Sequence, residues 1–555
     1  MRKKTIVQTF IGLFAFAIIL SGCSSNTNSN SNGSKGAESS PSASVDAASS
    51  PSASKGNKIL IFGRNSDSVG LDLATTTDGE SYRVAVNVLE TLVVYDPTTK
   101  GVSPKLAESW TVSDDGLTYT FKLRQGIKFQ DGTDFNAEAV AFNFERWMDK
   151  SNPLHNKDGF PYYESIFGGY KGDAQHAIAG ITVADPYTVQ FKLTKPISSF
   201  LSNLAIPNFG IASPEALKDT SRDFNKSPVG TGPFLLTDWK ANDTITLANN
   251  PNYWQQGQPK LDKLIFKVIP DQNARLTALQ TGEVDMIDGV NPEDVRTILQ
   301  NGDLQLFDTP SLNVGYLGFN TAKAPFDNVK VREAIAGIVD KQALIDAFWA
   351  GTATPAVNAI PPVFMGYNGD IKDRTVDLDK SKQLLSEAGY PNGFKTTIWT
   401  TSASRIYMPN GEKVAQALQE QLKKINIDAQ IQTLEWATYI DKLISHDTDL
   451  FLSGWISDTA DPDNFLAPLF SVDNTYNFSG YKNEEVNKLL QQGQVETDSA
   501  KREQEYRDIQ ELLFQDAPVV PIAHAKYFVA AAKGVSGFVI SPTGANESFA
   551  DVDMN

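Results

Sequence analysis

Trp110-Thr-Val-Ser-Asp-Asp-Gly-Leu-Thr-Tyr-Thr-Phe-Lys-Leu123 holds a strand, an Asp-Asp-Gly turn and a second strand in which Leu117, Tyr119, Phe121 and Leu123 alternate with polar residues. A period of two puts one face of a strand into a core, and Asp-Gly between two such runs is a strong hairpin signal. Downstream, Asn136 or Asp134 is placed to cap a helix through Ala139–Trp147. Upstream, Lys58–Gly63 reads as a short buried strand and Tyr82–Leu92 as a helix. Strand patterns recur at Tyr187–Leu193, at Phe234–Leu247 after Gly230-Thr-Gly-Pro233, and at Lys263–Ile269, followed by a helix near Asn273–Thr281. Asn313–Asn320 reads as an extended crossing segment. Beyond it, Val329–Val339, Lys380–Glu387, Thr396–Thr400, Gly411–Lys424 and Gln430–Leu434 interleave helices with strands, and Val519–Ala523 and Phe528–Ile540 close the chain with strand patterns. Such interleaving implies an α/β lobe, and no short internal repeat is present.

The start of the chain has a different character. Arg2, Lys3 and Lys4 precede an apolar run from Phe10 to Leu20 that ends in Leu20-Ser-Gly-Cys23. This is the layout of a secretory leader, with a run too short to span a bilayer comfortably. Its ending resembles the bacterial lipobox, in which the cysteine is acylated and becomes the mature N-terminus. Residues 1–22 are therefore expected to be a lipoprotein signal peptide, with Cys23, the single cysteine of the chain, as the lipidation site. Residues 23–57 are almost entirely Ser, Asn, Ala, Gly and Pro without aromatics, a flexible tether. A coil of that length reaches about 30 Å from its anchor. The expected location is the outer face of a bacterial cell membrane.

The body of the 555-residue chain exceeds one ordinary domain, and 41% hydrophobic content supplies real cores for two or three lobes. A net charge of −17 argues against a nucleic-acid partner, which calls for clustered Lys and Arg.

Several segments together resemble one family. Ala107–Arg124 followed by Gly126–Val140, then Gly230-Thr-Gly-Pro-Phe234, Asn252-Tyr-Trp254 and Val331-Arg-Glu-Ala-Ile335, are similar in content and order to the marks of the family 5 (peptide- and nickel-type) solute-binding proteins of ATP-binding-cassette (ABC) importers. Within that family Gly454–Phe465 and Ser404–Asn410 look most like the periplasmic dipeptide-binding branch. The resemblance implies an α/β, two-lobed periplasmic-binding-protein-like fold (type II, cluster C), with an extra subdomain inserted in the first lobe. Its expected boundaries are 58–89, 234–316 and 526–555 for lobe I, 90–233 for the insertion and 317–525 for lobe II, with crossings near 313–318 and 522–528.

The resemblance also implies roles. The aspartate at Asp458 would take a ligand's α-ammonium and the arginine at Arg405 its α-carboxylate. Physical chemistry agrees: a zwitterion enclosed between lobes loses hydration at both ends, and each end needs an opposite charge. Arginine's planar fork suits a carboxylate. The plainer readings are a loop or cap aspartate, like Asp461 and Asp463 beside it, and a surface arginine. Tyr407, two residues along an extended segment from Arg405, is expected to line the pocket. Trp455 and Trp436 are candidates for stacking on ligand side chains, with core packing as the alternative.

The expected function is capture of short peptides, dipeptides above all, and delivery to the importer's permease by a monomer. Longer oligopeptides, glutathione-like peptides, a nickel chelate or a peptide-sensing role are the alternatives. The expected order is docking on the second lobe, then closure of the first lobe over the ligand. Catalysis finds no footing. His155, His176, His446 and His524 are scattered without zinc-ligand spacing. Gly230-Thr-Gly lacks the end of a phosphate loop, and no Gly-x-Ser-x-Gly elbow occurs. No metal and no cofactor is expected.

Overall fold

The computed structural model describes residues 57–96, 101–472, 474–544 and 546–555. The expected signal peptide, Cys23 and all of the expected tether except Asn57 lie outside the described residues.

The first lobe begins with β1 (Ile59–Arg64), whose Leu60 and Phe62 are fully buried. Helix α1 (Gly79–Ala85) starts where the Asp78 carboxylate accepts the N–H of Ser81 at 2.9 Å. It ends before most of the expected Tyr82–Leu92 span, because Asp78 sets its start and the chain beyond Ala85 is irregular, burying Val88, Leu89 and Leu92 together with Asn87 and Glu90 at the foot of the insertion.

The insertion opens with the hairpin β2 (Val93–Asp96) and β3 (Gly101–Pro104). It continues as β4 (Ala107–Val112), β5 (Thr118–Leu123), β6 (Ile178–Asp185) and β7 (Thr188–Leu193), an antiparallel sheet in the order β4-β5-β7-β6. The hairpin read from Trp110–Leu123 is β4–β5, with Trp110 opposite Phe121. Helix α2 (Ala137–Met148) is capped by Asn136, which accepts the Ala139 N–H at 3.0 Å, while Asp134 pairs with Lys128. Phe144 and Trp147 of α2 are buried against the sheet, the Phe144 ring 4.7 Å from that of Phe191. Each such side chain contributes about 1.5–3 kcal/mol. Helix α3 (Pro161–Phe167) buries Tyr163 and Phe167. The chain leaves the insertion at Gly230, where a Cβ would come within 2.2 Å of the Val88 carbonyl. That close approach, and no phosphate, accounts for the Gly-Thr-Gly run.

The first sheet is completed by β8 (Phe234–Lys240), β9 (Thr244–Asn249), β10 (Lys263–Val268), β11 (Met286–Ile287) and β12 (Leu304–Pro310). One expected strand, 234–247, is a hairpin, because Asn242 takes a φ of 57° in its turn, a conformation Asn tolerates.

The second lobe is built on β13 (Asn313–Phe319), β14 (Thr354–Pro355), β15 (Lys395–Thr401), β16 (Asp428–Leu434), β17 (Leu450–Ile456) and β18 (Val519–His524), in the order β14-β18-β13-β17-β15-β16. Both faces are covered. The helix Gly411–Lys423 packs Val414, Leu418 and Leu422 on one face with Ile398 and Leu452, while Tyr439, Leu443 and Phe465 meet Phe451 on the other. The 18-residue helix Ser499–Asp516 gave little sequence signal, since its apolar buried positions are only Tyr506, Ile509 and Leu513.

Strand β19 (Lys526–Ala532) returns to the first lobe, whose sheet runs β12-β19-β11-β1-β10-β9-β8. Two chain segments therefore pair twice, β12 with β19 in one sheet and β13 with β18 in the other. Asn313 fastens the crossing: its Nδ2 donates to the Ala525 carbonyl and its Oδ1 accepts from the Ala525 N–H, both at 3.0 Å. The boundary expected after residue 316 falls inside β13, which pairs along its whole length with β17; the chain has changed sheets by Asn313.

Candidate ligand-binding cleft

Three neighbouring strands of the second lobe run parallel: β15 pairs with β16 from Lys395–Asp428 to Thr401–Leu434, and with β17 at Ile398–Leu450 and Trp399–Phe451. Their C-terminal ends meet one edge of the sheet, the place where open α/β sheets bind ligands. Arg405 follows β15, Trp436 follows β16 and Asp458 follows β17. Arg405 and Asp458, 53 positions apart in sequence, are thus brought to one edge by register alone.

Arg405 lies in a tight turn. Its N–H donates to the Met408 carbonyl at 3.2 Å and the Met408 N–H donates back at 2.9 Å. The turn corrects the extended segment expected here, and Tyr407 points into the second lobe, 7% exposed. Burial pushes its hydroxyl up to about 12. Two glycines paired across β13 and β17, Gly315 and Gly454, make the turn possible. A Cβ on Gly454 would lie 2.2 Å from Cδ2 of Tyr407, and one on Gly315 would lie 2.2 Å from its carbonyl oxygen. Tyr407 thereby serves as the root of the turn that carries Arg405.

The Arg405 guanidinium carbon is 3.6 Å from the centre of the Trp436 ring. Trp436 is held in place as the first residue of the helix Trp436–Ile444, where the Glu435 carboxylate accepts the Ala437 N–H at 2.9 Å. Arg405 has no carboxylate partner among the described residues, and its buried Nε makes no hydrogen bond. One face of the fork is stacked and its donors remain for an anion.

The loop after β17 is organised by Asn464. Its Oδ1 accepts from the Asp458 N–H at 3.0 Å and from the Ser457 hydroxyl at 2.8 Å, and its carbonyl accepts from Trp455 Nε1 at 3.0 Å. The Trp455 ring lies 5.3 Å from that of Tyr476, which is 46% exposed, so this tryptophan is half-buried beside an open aromatic face. Asp461 is no loose neighbour: both its oxygens take Arg502 at 2.7 and 2.8 Å, buried on both sides. Asp463 begins the helix Asp463–Phe470, and burial followed by the nearby Asp461 charge pushes it up to about 6.

Asp458 is open to water yet crowded by protein, and that partial desolvation pushes its carboxyl up to about 6. The Tyr162 hydroxyl of α3 donates to its Oδ1 at 3.2 Å, which opposes the rise. Oδ2 has no hydrogen-bond partner among the described residues. Tyr162 belongs to the insertion, 296 positions away, and nothing local in the sequence marks it. A second bridge lies beside this one: the Ser198 N–H donates to the Gln494 carbonyl at 3.0 Å and its hydroxyl to the Glu496 carbonyl at 2.6 Å. A cavity of about 350 Å³ is lined by Ile166 and Ser199 of the insertion and by Asp463, Asn464 and Gln494 of the second lobe; neither Tyr162 nor Asp458 lines it. The arrangement offers an acid and an arginine, each without an ionic partner among the described residues, on one edge of one sheet. Among the described residues no group of His, Cys, Asp and Glu is placed to hold a metal ion.

Residues 101–477 match the sequence model of the bacterial extracellular solute-binding proteins, family 5 middle region. The chain is 35% identical over 521 residues to heme-binding protein A of Haemophilus influenzae, covering 91% of this chain and 94% of that one. It is 34% identical over 504 residues to the dipeptide-binding protein of Escherichia coli, covering 88% and 93%. The crystal structure of a dipeptide-binding protein from Pseudoalteromonas sp. SM9913 in complex with Met-Leu superposes with a TM-score of 0.74 at 32% identity, covering 90% of this chain and all of that one.

Proposed function

Since the chain belongs to the family 5 extracellular solute-binding proteins, which are transport binding proteins and not enzymes, we propose that it captures short peptides, dipeptides first, and hands them to the permease of an ABC importer. The observation that carries the reading is the placement of Arg405 and Asp458. Each ends one of two adjacent parallel strands, and neither is neutralised by an opposite charge of the protein. A peptide of two residues has one charge for each, and their fixed separation limits length. Relatives named for dipeptides support the same reading. Leu20-Ser-Gly-Cys23 supports anchoring through a lipid on Cys23 at the outer face of the membrane.

The test is titration calorimetry on the full chain, unfolded and refolded to strip carried ligand, with Ala-Ala, Ala-Ala-Ala, N-acetyl-Ala-Ala, a nickel chelate and haemin. Tight binding of Ala-Ala with loss on acetylation is expected. Preference for the tripeptide, the chelate or haemin would overturn the dipeptide assignment while leaving the family intact.

A further inference from the structure

Asp458 stands on the second lobe, but the side chain that reaches it comes from the insertion in the first. Tyr162 is half-buried, and its neighbours on α3, Tyr163 and Phe167, are fixed in the insertion's core, so the hydroxyl is presented from a rigid base. Behind it stands Tyr82 of α1, whose own hydroxyl is 3.0 Å from both the Thr76 carbonyl and the Asn208 side-chain oxygen. Tyr162 thus meets the second lobe on one side and the parent lobe on the other. At 3.2 Å the bond to Asp458 is long for an O–H···O contact, and it uses one carboxylate oxygen only.

We infer, building on the ammonium role proposed for Asp458, that Tyr162 is a positioning residue for that anchor. Its hydroxyl holds Oδ1 so that Oδ2 faces the ligand's ammonium, and it ties filling of the anchor to docking of the insertion on the second lobe. The insertion is then the jaw that closes. The Ser198 contacts with Gln494 and Glu496 show the same body touching the second lobe at an independent place. A donor to a carboxylate also favours its charged form. The groups near Asp458 are Tyr162 from α3 with Tyr82 of α1 and its cap Asp78 behind, and no cation faces it among the described residues. Loss of the Tyr162 hydroxyl therefore acts on the pH at which the anchor works as well as on its aim.

The experiment compares wild type, Tyr162→Phe and Asp458→Asn as full chains, titrated with Ala-Ala between pH 5 and 8. Asp458→Asn reports on the ammonium role alone. With that role sound, it binds Ala-Ala much more weakly at pH 7 and above, the gap narrowing as the wild-type carboxyl protonates below about pH 6. Tyr162→Phe keeps the ring and its packing. It is expected to bind on the order of tenfold more weakly near pH 6 and to recover most of that loss by pH 8, its midpoint moved upward, since a hydrogen bond to a charged group is being removed. An unchanged profile in Tyr162→Phe beside a weakened Asp458→Asn would overturn the inference and leave the ammonium role standing. A loss of equal size at every pH would overturn it too, by showing that the hydroxyl does not act through the charge of Asp458. Unimpaired binding by Asp458→Asn would overturn the ammonium role and this inference together.

Discussion

The guanidinium of Arg405 rests on the indole of Trp436, 3.6 Å from the ring centre, although the two residues leave different strands. The ring covers one face of the fork and holds its edge outward. Trp436→Leu should leave the fold intact, since the residue is half-buried at a helix start. It should cost peptide affinity about 0.5–2 kcal/mol, the range for a cation over an aromatic ring. Trp436→Phe should retain part of it. Calorimetry on the two variants checks this, and equal affinities for wild type and the Leu variant would remove the ring from the site.

Dipeptide affinity should follow the protonation of Asp458. Its carboxyl titrates near 6, and the protonated form is neutral and offers an ammonium no charge. Affinity should therefore fall as pH drops through about 6, approaching tenfold per unit well below it. It should fall again above about pH 8, where the ligand's α-amino group loses its proton. N-acetyl-Ala-Ala should bind weakly and show no rise through this window. Asp458→Ala should cost about 2–5 kcal/mol at pH 7.

Gly454→Ala is a remote way to injure the Arg405 anchor. The added methyl would meet the Tyr407 ring at 2.2 Å, and the turn rooted in that ring must shift. A destabilisation of about 1–3 kcal/mol is expected from the overpacking, together with weakened peptide binding. A variant with a normal melting midpoint and normal affinity would show that the turn does not depend on this contact.

Arg502 supports the other anchor. Replacing it with Met leaves Asp461 buried and unpaired beside Asp463, and breaking such a pair costs about 3–5 kcal/mol. Chemical denaturation measures the loss. The change touches no ligand, so any fall in peptide affinity measured on the folded fraction reports displacement of the 457–463 loop.

His524 makes the crossing sensitive to acid. Burial, aided by nearby Lys341 and opposed by its hydrogen bond to Asn313, depresses it to about 4, and Nδ1 is 2.8 Å from the Asn313 carbonyl. The unfolded chain titrates near 6.5 and takes the proton first, so this group's contribution to stability is lost as pH falls from about 6.5 to 4. Relative to wild type, His524→Gln should gain stability as pH drops through that window, by up to about 1.4 kcal/mol per unit. A constant difference between the two proteins at all pH values would contradict the buried neutral imidazole.

Local features were legible where local physics decides them. The β4–β5 hairpin follows from alternation and a turn residue, and the Asn136 cap from its place before an apolar run. Arg405, Trp436 and Asp458 are each marked by a separate local motif, but the parallel register that unites them is a property of β15, β16 and β17 together. An extended chain would put Tyr407 on the same side as Arg405, but Gly315 and Gly454 admit a turn that buries its ring in the second lobe. Tyr162 left no trace in its neighbourhood, since its reason for being there is a carboxylate 296 residues on.

Strand β19 lies between β12 and β11 in the first sheet. The sheet opened by β1 near the start of the described chain therefore stays split until residues 526–532 have been made. An inner strand of the first lobe thus follows the whole second lobe in chain order. Such distant pairing is slow to form, and until it does the chain exposes two unpaired strand edges. A chain cut short before Lys526 would lose more than a tail: β11 and β12 would be left without the partner between them, and the second crossing without its far side.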